Sequence, residues 1–158
     1  MNIFILDYDA QRAARMQCDK HIVKMPLESA QILCSLFPDG LAPYKRTHYN
    51  HPCSIWARTS KANFQWLVRH GLALCDEYTF RYGKTHKSKL VIIWCSKNIS
   101  KIKFNHVGRT RFVMCFDQKF KIGNAVESYR EYYRCEKNKI AKWRKNRPRP
   151  SWFSSTAF

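Results

Sequence analysis

Asp19, His21, Lys24 and Glu28 lie close together in a segment, residues 18–37, that is otherwise mostly apolar. Seven residues from His21 to Glu28 is close to two helical turns, so on a helix the two share a face with Lys24 between them. An imidazole, a carboxylate and an amine in one row are the parts that proton transfer around a nucleophile requires. The same residues also suit a solvated helix face carrying an ordinary Lys24–Glu28 ion pair. Spacing alone does not separate the two readings.

Other residues suit binding rather than bond-making. The stretch RYGKTHKSK, residues 81–89, is dense in charge beside a glycine turn, which makes Arg81, Lys84 and Lys87 candidates for phosphate contact. In the tail, Arg147 and Arg149 suit phosphate, and Trp152 suits base stacking, worth ~1–3 kcal/mol per base. Trp152 and Phe153 would serve equally as pins that hold the tail on the core. Lys20, Asn50, His51 and Arg58 complete the expected nucleic-acid contacts. Cys18-x2-His21 with His48-x2-His51-x-Cys53 offers zinc-type ligands, but these spacings are not those of a known finger. No metal or other cofactor is expected.

The elements that must position these residues read as helices. The apolar run at residues 2–6 is a strand or an extended segment pinned on the core. Asp9 is a predicted N-cap, followed by one helical run over residues 10–25. Pro26 either kinks that helix or restarts it, and the pattern continues to Phe37. Pro38-Asp39-Gly40 marks a turn and opens a loop reaching Tyr49. Asn50-His51-Pro52 is a helix-start pattern, and a helix or helix pair follows to about Tyr82, with Phe64, Leu67, Val68, Leu72, Cys75 and Tyr78 near one stripe. Residues 86–94 predict a shorter helix, although VIIW alone fits a strand. Residues 99–123 are aromatic and basic without a clear period. Residues 125–144 predict a helix, and the rest is an extended basic-aromatic tail. The fold expected is mainly α: a single compact helical domain over residues 1–158. There is no βαβ pattern, no GxGxxG and no P-loop, which argues against nucleotide-cofactor folds.

Composition narrows the partner. The chain has 158 residues, 45% apolar and 15% aromatic, enough to bury a core. Its formal net charge is +18. Residues 1–40 hold four basic and five acidic residues, net −1, while the remainder holds 25 basic and six acidic, net +19. Nine Lys or Arg and no acid occur between Tyr78 and Phe116, and seven more in residues 137–149. A body this basic points to a polyanion, most often nucleic acid. No apolar run approaches the roughly 20 residues needed to span a bilayer, and no membrane partner is expected. MNIFILDYDA lacks a basic n-region and does not read as a signal peptide. Seven cysteines, an odd number without a CxxC, suit reduced thiols. The expected location is the cytoplasm or nucleus of a host cell, with virion association open, and not secretion.

Cys18-Asp19-Lys20-His21 followed by Glu28, together with Arg149-Pro150-Ser151-Trp152-Phe153, resembles the pyrimidine-dimer DNA glycosylases of the endonuclease V type of T-even phages. Asn50-His51-Pro52 is similar to the Asn-His-Pro of bacterial relatives of that family. DKHIVKM, YNHPCSIWA and RYGKTHK resemble a group of phage and large-virus proteins. The resemblance implies that the partner is duplex DNA and that the protein is a small, all-α, basic DNA repair enzyme whose nucleophile is an N-terminal α-amine. That amine attacks C1′ of the damaged nucleotide and forms a Schiff base; α-amines ordinarily titrate at about 7.7–8.0, so a sizeable fraction is neutral near pH 7. Glu28 would stabilise the sugar's developing positive charge and assist the proton abstraction that leads to strand cleavage. His21 would orient the sugar. The family's mature chain opens on a small Thr, whereas this one opens Met-Asn. The implied nucleophile is therefore Met1's own amine, or a lysine such as Lys24. The expected function is a glycosylase with abasic-site lyase activity on damaged pyrimidines. Its rivals are a non-catalytic viral nucleic-acid-binding protein and a metal-dependent nuclease built on Asp19, His21 and Glu28.

Overall fold

The computed structural model describes residues 1–153, so residues 154–158 of the expected extended tail lie outside the described residues. The described residues form α1 (Ala10–Arg15), α2 (Asp19–Ser35), α3 (Pro52–Thr59), α4 (Lys61–Tyr82), α5 (Lys89–Lys97) and α6 (Ala125–Glu136), with short 3₁₀ turns at Ile99–Lys101 and Gln118–Phe120. Among the described residues there is no strand, only an isolated bridge between Ser60 and His106. Among the described residues, no helix is long and apolar enough to cross a membrane.

The expected single helix over residues 10–25 is two helices. Asp9 caps α1 through its carboxylate, which accepts from the Arg12 N–H at 2.9 Å. α1 stops after Arg15 although neither Gly nor Pro is present to stop it. The cause is distant side chains that satisfy the carbonyls a continued helix would have used. Arg81 donates to the Arg15 and Gln17 carbonyls at 2.9 and 2.8 Å, and the Trp143 indole donates to the Met16 carbonyl at 3.0 Å. α2 then begins at Asp19 and runs unbroken through Pro26. Pro26 is buried, and packing holds the helix together where one backbone bond is missing.

α3 opens as its pattern suggests, with Pro52 in the first turn and His51 at the cap. α4 is the central helix and packs against α1, α2, α3 and α5. Its first-turn N–H groups do not go unmet: Lys61 and Ala62 donate to the carbonyls of His106 and Val107, and Asn63 to Ser60 Oγ. Gly83, at φ 69°, ends it in the left-handed region. Midway, a Cβ on Gly71 would stand 2.9 Å from Ile92 Cδ1 and 3.4 Å from Ser29 Cβ, so its missing side chain lets α2, α4 and α5 approach.

Two further expectations change at the C-terminal end. α6 ends at Glu136, not at residue 144, and the basic residues beyond it are turns and irregular chain. Phe153 is buried against Tyr133 and Trp143, and the Trp152 indole reaches Met16 Sδ at 3.5 Å. Trp152 is thus a pin on the core rather than a free stacking platform.

Candidate active site

The N-terminal segment behaves as a plug. Ile3, Phe4, Ile5 and Leu6 are buried, and each such side chain contributes about 1.5–3 kcal/mol on leaving water. Asn2 is tied by both ends of its amide: Nδ2 donates to the Cys115 carbonyl at 3.0 Å, and Oδ1 accepts from the Tyr129 hydroxyl at 2.9 Å. Arg130 closes the segment by donating to the Leu6 carbonyl at 2.8 Å. With Asn2 to Leu6 held this way, the α-amine of Met1 has one place to go. It lies 3.4 Å from Glu28 Oε1. Glu28 is therefore paired with the N-terminal ammonium, and no Lys24–Glu28 ion pair forms.

His21, two turns before Glu28, is oriented by α6. The Tyr133 hydroxyl accepts from the Cys18 N–H at 2.9 Å and sits 2.8 Å from His21 Nδ1. With its oxygen accepting from Cys18, that hydroxyl gives its proton to Nδ1, which leaves Nε2 as the imidazole N–H. Phe4 stacks on the ring at 4.3 Å and 14°. Burial, followed by the charges of Lys137 and Lys24, lowers the pKa of His21 to about 3. His21 is thus a neutral hydrogen-bond donor at any physiological pH and cannot serve as an imidazolium acid.

These groups share one cleft of about 260 Å³. Met1, His21, Lys24 and Glu28 line it together with Asn2, Phe4, Met25, Cys115, Tyr132 and Lys137. Larger grooves exist, one of about 640 Å³ beside Arg46, Tyr49, Arg58, Lys101 and Lys103 among others. The smaller cleft is the one that gathers an amine, a carboxylate and an imidazole. Lys137, Tyr132, Tyr133, Phe4 and Cys115 were not legible as site residues in the sequence. Only Lys137 carried a signal, as the first residue of the basic run 137–149.

The expected binding residues separate. Lys20, Lys84, Lys87, Arg149 and Asn50 are exposed. Arg58 donates to the Tyr49 carbonyl and lies over the Tyr49 ring at 4.0 Å while lining the 640 Å³ groove. Arg81 is not a phosphate ligand: it is 1% exposed and pairs with Glu77 at 2.9 Å and Asp19 at 3.1 Å. Arg147 is half-buried and holds both oxygens of Glu77, at 2.6 and 3.1 Å. Asp19 is removed from the metal-nuclease set for the same reason. Its carboxylate is held by Arg81 and by Arg144 at 3.3 Å.

The zinc set suggested by spacing does not assemble either: among the described residues the ligand atoms of Cys18, His21 and His48 do not gather with those of His51 and Cys53, and Tyr133 occupies His21 Nδ1. Instead, ligand atoms of His51, Cys53 and Cys115 lie within 4.8 Å of one another. His51 Nδ1 accepts from the Cys53 N–H at 3.1 Å, so its proton is on Nε2, which points at Cys115 Sγ 3.6 Å away. A metal at Nε2 would have to displace that proton and break the cap. The cluster suits two thiols and a donor better than a metal.

Among curated proteins and solved structures, none matches this chain. A family model described as pyrimidine dimer DNA glycosylase matches residues 1–90, a span containing Met1, His21, Lys24, Glu28, Asn50 and His51. With more than half of its length matched, the chain belongs to the pyrimidine dimer DNA glycosylase family, a family of DNA repair enzymes.

Proposed function

We propose that the protein is a glycosylase with coupled abasic-site lyase activity on damaged pyrimidines in duplex DNA, and that Met1's α-amine is its nucleophile. The observation that carries this is the amine held 3.4 Å from Glu28 in a cleft shared with His21 and Lys24. In this mechanism Glu28 takes a proton from the ammonium, and the freed nitrogen attacks C1′ as the glycosidic bond breaks and the base leaves with the electron pair. As the ring opens, the Glu28 carboxyl gives that proton to the sugar's ring oxygen, and the carboxylate so restored offsets the positive charge of the iminium. His21 Nε2–H donates to a sugar oxygen, and ring opening yields the iminium. Loss of a C2′ proton to a carboxylate then breaks the 3′ C–O bond. Lys24 and Lys137 at the rim suit the phosphates on either side of the lesion. A damaged pyrimidine is already partly unstacked, which lowers the cost of bringing the nucleotide to so small a cleft.

Borohydride trapping tests this on duplex oligonucleotides that carry a pyrimidine dimer or an abasic site. The expected result is a covalent adduct mapped to Met1, with Glu28→Gln cutting turnover by about 10²–10⁴-fold while DNA binding is kept. An adduct on Lys24 or Lys137 would move the nucleophile. DNA binding with no adduct, and a Glu28→Gln variant equal to wild type, would leave the non-catalytic binding protein as the better reading.

A further inference from the structure

We infer that Cys53 and Cys115 form a peroxide-oxidisable thiol pair beside the amine, whose disulfide switches off the seat of the N-terminal residue. The two sulfurs lie within 4.8 Å. Cys115 is half-buried and lines the cleft, where a small oxidant reaches it, and Cys53 is buried behind it. His51 Nε2–H points at the Cys115 sulfur. Cys53, then the N-terminal ammonium and Lys121, lower the Cys115 thiol to about 6, so its thiolate is available at neutral pH.

The molecule carries its own controls. Cys34 and Cys95 stand 3.7 Å apart but are sealed between α2 and α5. Cys135 is exposed, but burial and its contact with the Glu131 carboxylate raise its thiol. Proximity alone would favour Cys34–Cys95, and exposure alone Cys135. Only Cys115 combines a close partner, access and a stabilised thiolate.

The chemistry balances with hydrogen peroxide as oxidant. The Cys115 thiolate attacks one peroxide oxygen, the O–O bond breaks, and hydroxide leaves with the electron pair, giving a sulfenic acid. The Cys53 sulfur, losing its proton, then displaces the sulfenic hydroxyl as water. Two thiols and one peroxide become a disulfide and two waters. Both cysteines touch the seat of Asn2: Cys115 through its carbonyl at 3.0 Å, Cys53 through its sulfur at 3.9 Å. Drawing the sulfurs to the ~2.05 Å of a disulfide therefore shifts the residue next to the amine. This consequence for catalysis rests on the Met1 reading, whereas formation of the disulfide does not.

The full-length reduced protein is treated with one equivalent of hydrogen peroxide, its free thiols are alkylated, and it is digested without reduction for mass spectrometry. The expected product is a Cys53–Cys115 peptide pair lighter by two hydrogens, with Cys34 and Cys95 alkylated. Cys53→Ala leaves a sulfenic acid at Cys115 that dimedone captures, and Cys115→Ala leaves Cys53 reduced. The oxidised protein traps abasic DNA about 10²-fold more slowly, as a reacting group misplaced by ~1 Å does, and dithiothreitol restores the rate. Oxidation first at Cys34–Cys95 or Cys135, or a retained zinc ion that shields both thiols, overturns the proposal. A mapped disulfide with unchanged trapping overturns its link to catalysis. Reduced protein that traps no DNA sinks the Met1 reading instead and leaves the peptide map to decide the thiol pair.

Discussion

At His21 the two ring nitrogens have different tasks because Tyr133 occupies one of them. The hydroxyl that accepts from the Cys18 N–H gives its proton to Nδ1 and so commits Nε2–H to the cleft. Tyr133→Phe removes both contacts at once. It leaves the Cys18 N–H buried without a partner, and a loss of about 1–3 kcal/mol in urea unfolding is expected. It also frees the imidazole tautomer, which ¹⁵N shifts of the His21 ring report: a single Nε2–H form in the wild type, a mixture in the variant. A merely structural tyrosine would move the first readout and not the second. The row His21, Lys24, Glu28 was legible from spacing. Glu28's true partner was not, because the choice between Lys24 four residues away and Met1 twenty-seven residues away depends on how residues 2–6 are buried.

Among the elements, the break between α1 and α2 shows the same dependence. Propensity runs on from Ala10 into α2 without interruption, and only Arg81 and Trp143, from α4 and the C-terminal segment, make the interruption stable. Replacing Arg81 by Leu leaves Asp19 and Glu77 short of their central partner and two helix-end carbonyls, those of Arg15 and Gln17, unmet. A stability loss of about 3–5 kcal/mol is expected in denaturant unfolding, the range for breaking a buried ion pair from one side. Lys84→Ala, three residues on and exposed, is expected within ±0.5 kcal/mol of wild type. In DNA binding the ranking reverses: Lys84→Ala lowers the log–log salt slope by about 0.9 if Lys84 meets a phosphate. Two cations three residues apart thus sit in opposite environments, Arg81 buried and Lys84 exposed, and charge density alone could not distinguish them. The overrun of α6 has a related cause. Residues 137–144 suit a helix locally, but the chain must turn so that Trp143 and Phe153 pack on Tyr133 and Met16.

Across the whole molecule, burial of histidines sets a stability that depends on pH. His21 is lowered to about 3, by burial first and by Lys137 and Lys24 after it; burial also lowers His70 to about 4. His70 donates from Nδ1 to the Ala10 carbonyl and meets the Gln17 amide at Nε2. Both histidines stay neutral in the fold, whereas the unfolded chain takes up protons below the ordinary value of 6.5. Their contribution is therefore complete above pH 6.5 and is lost as pH falls toward 4, by about 1.4 kcal/mol per pH unit for each. Urea unfolding at pH 7, 6 and 5 should show that decline, and His70→Gln should lessen it. What the sequence determined by itself was local or additive: helical periodicity, capping residues, the row of His21, Lys24 and Glu28 on one helix face, and the surplus of positive charge. The tertiary structure decided which carboxylate meets the amine, where α1 stops, and which arginines face inward. Each of these is a choice among hydrogen-bond and ion-pair partners remote in sequence, settled by which groups folding excludes from water.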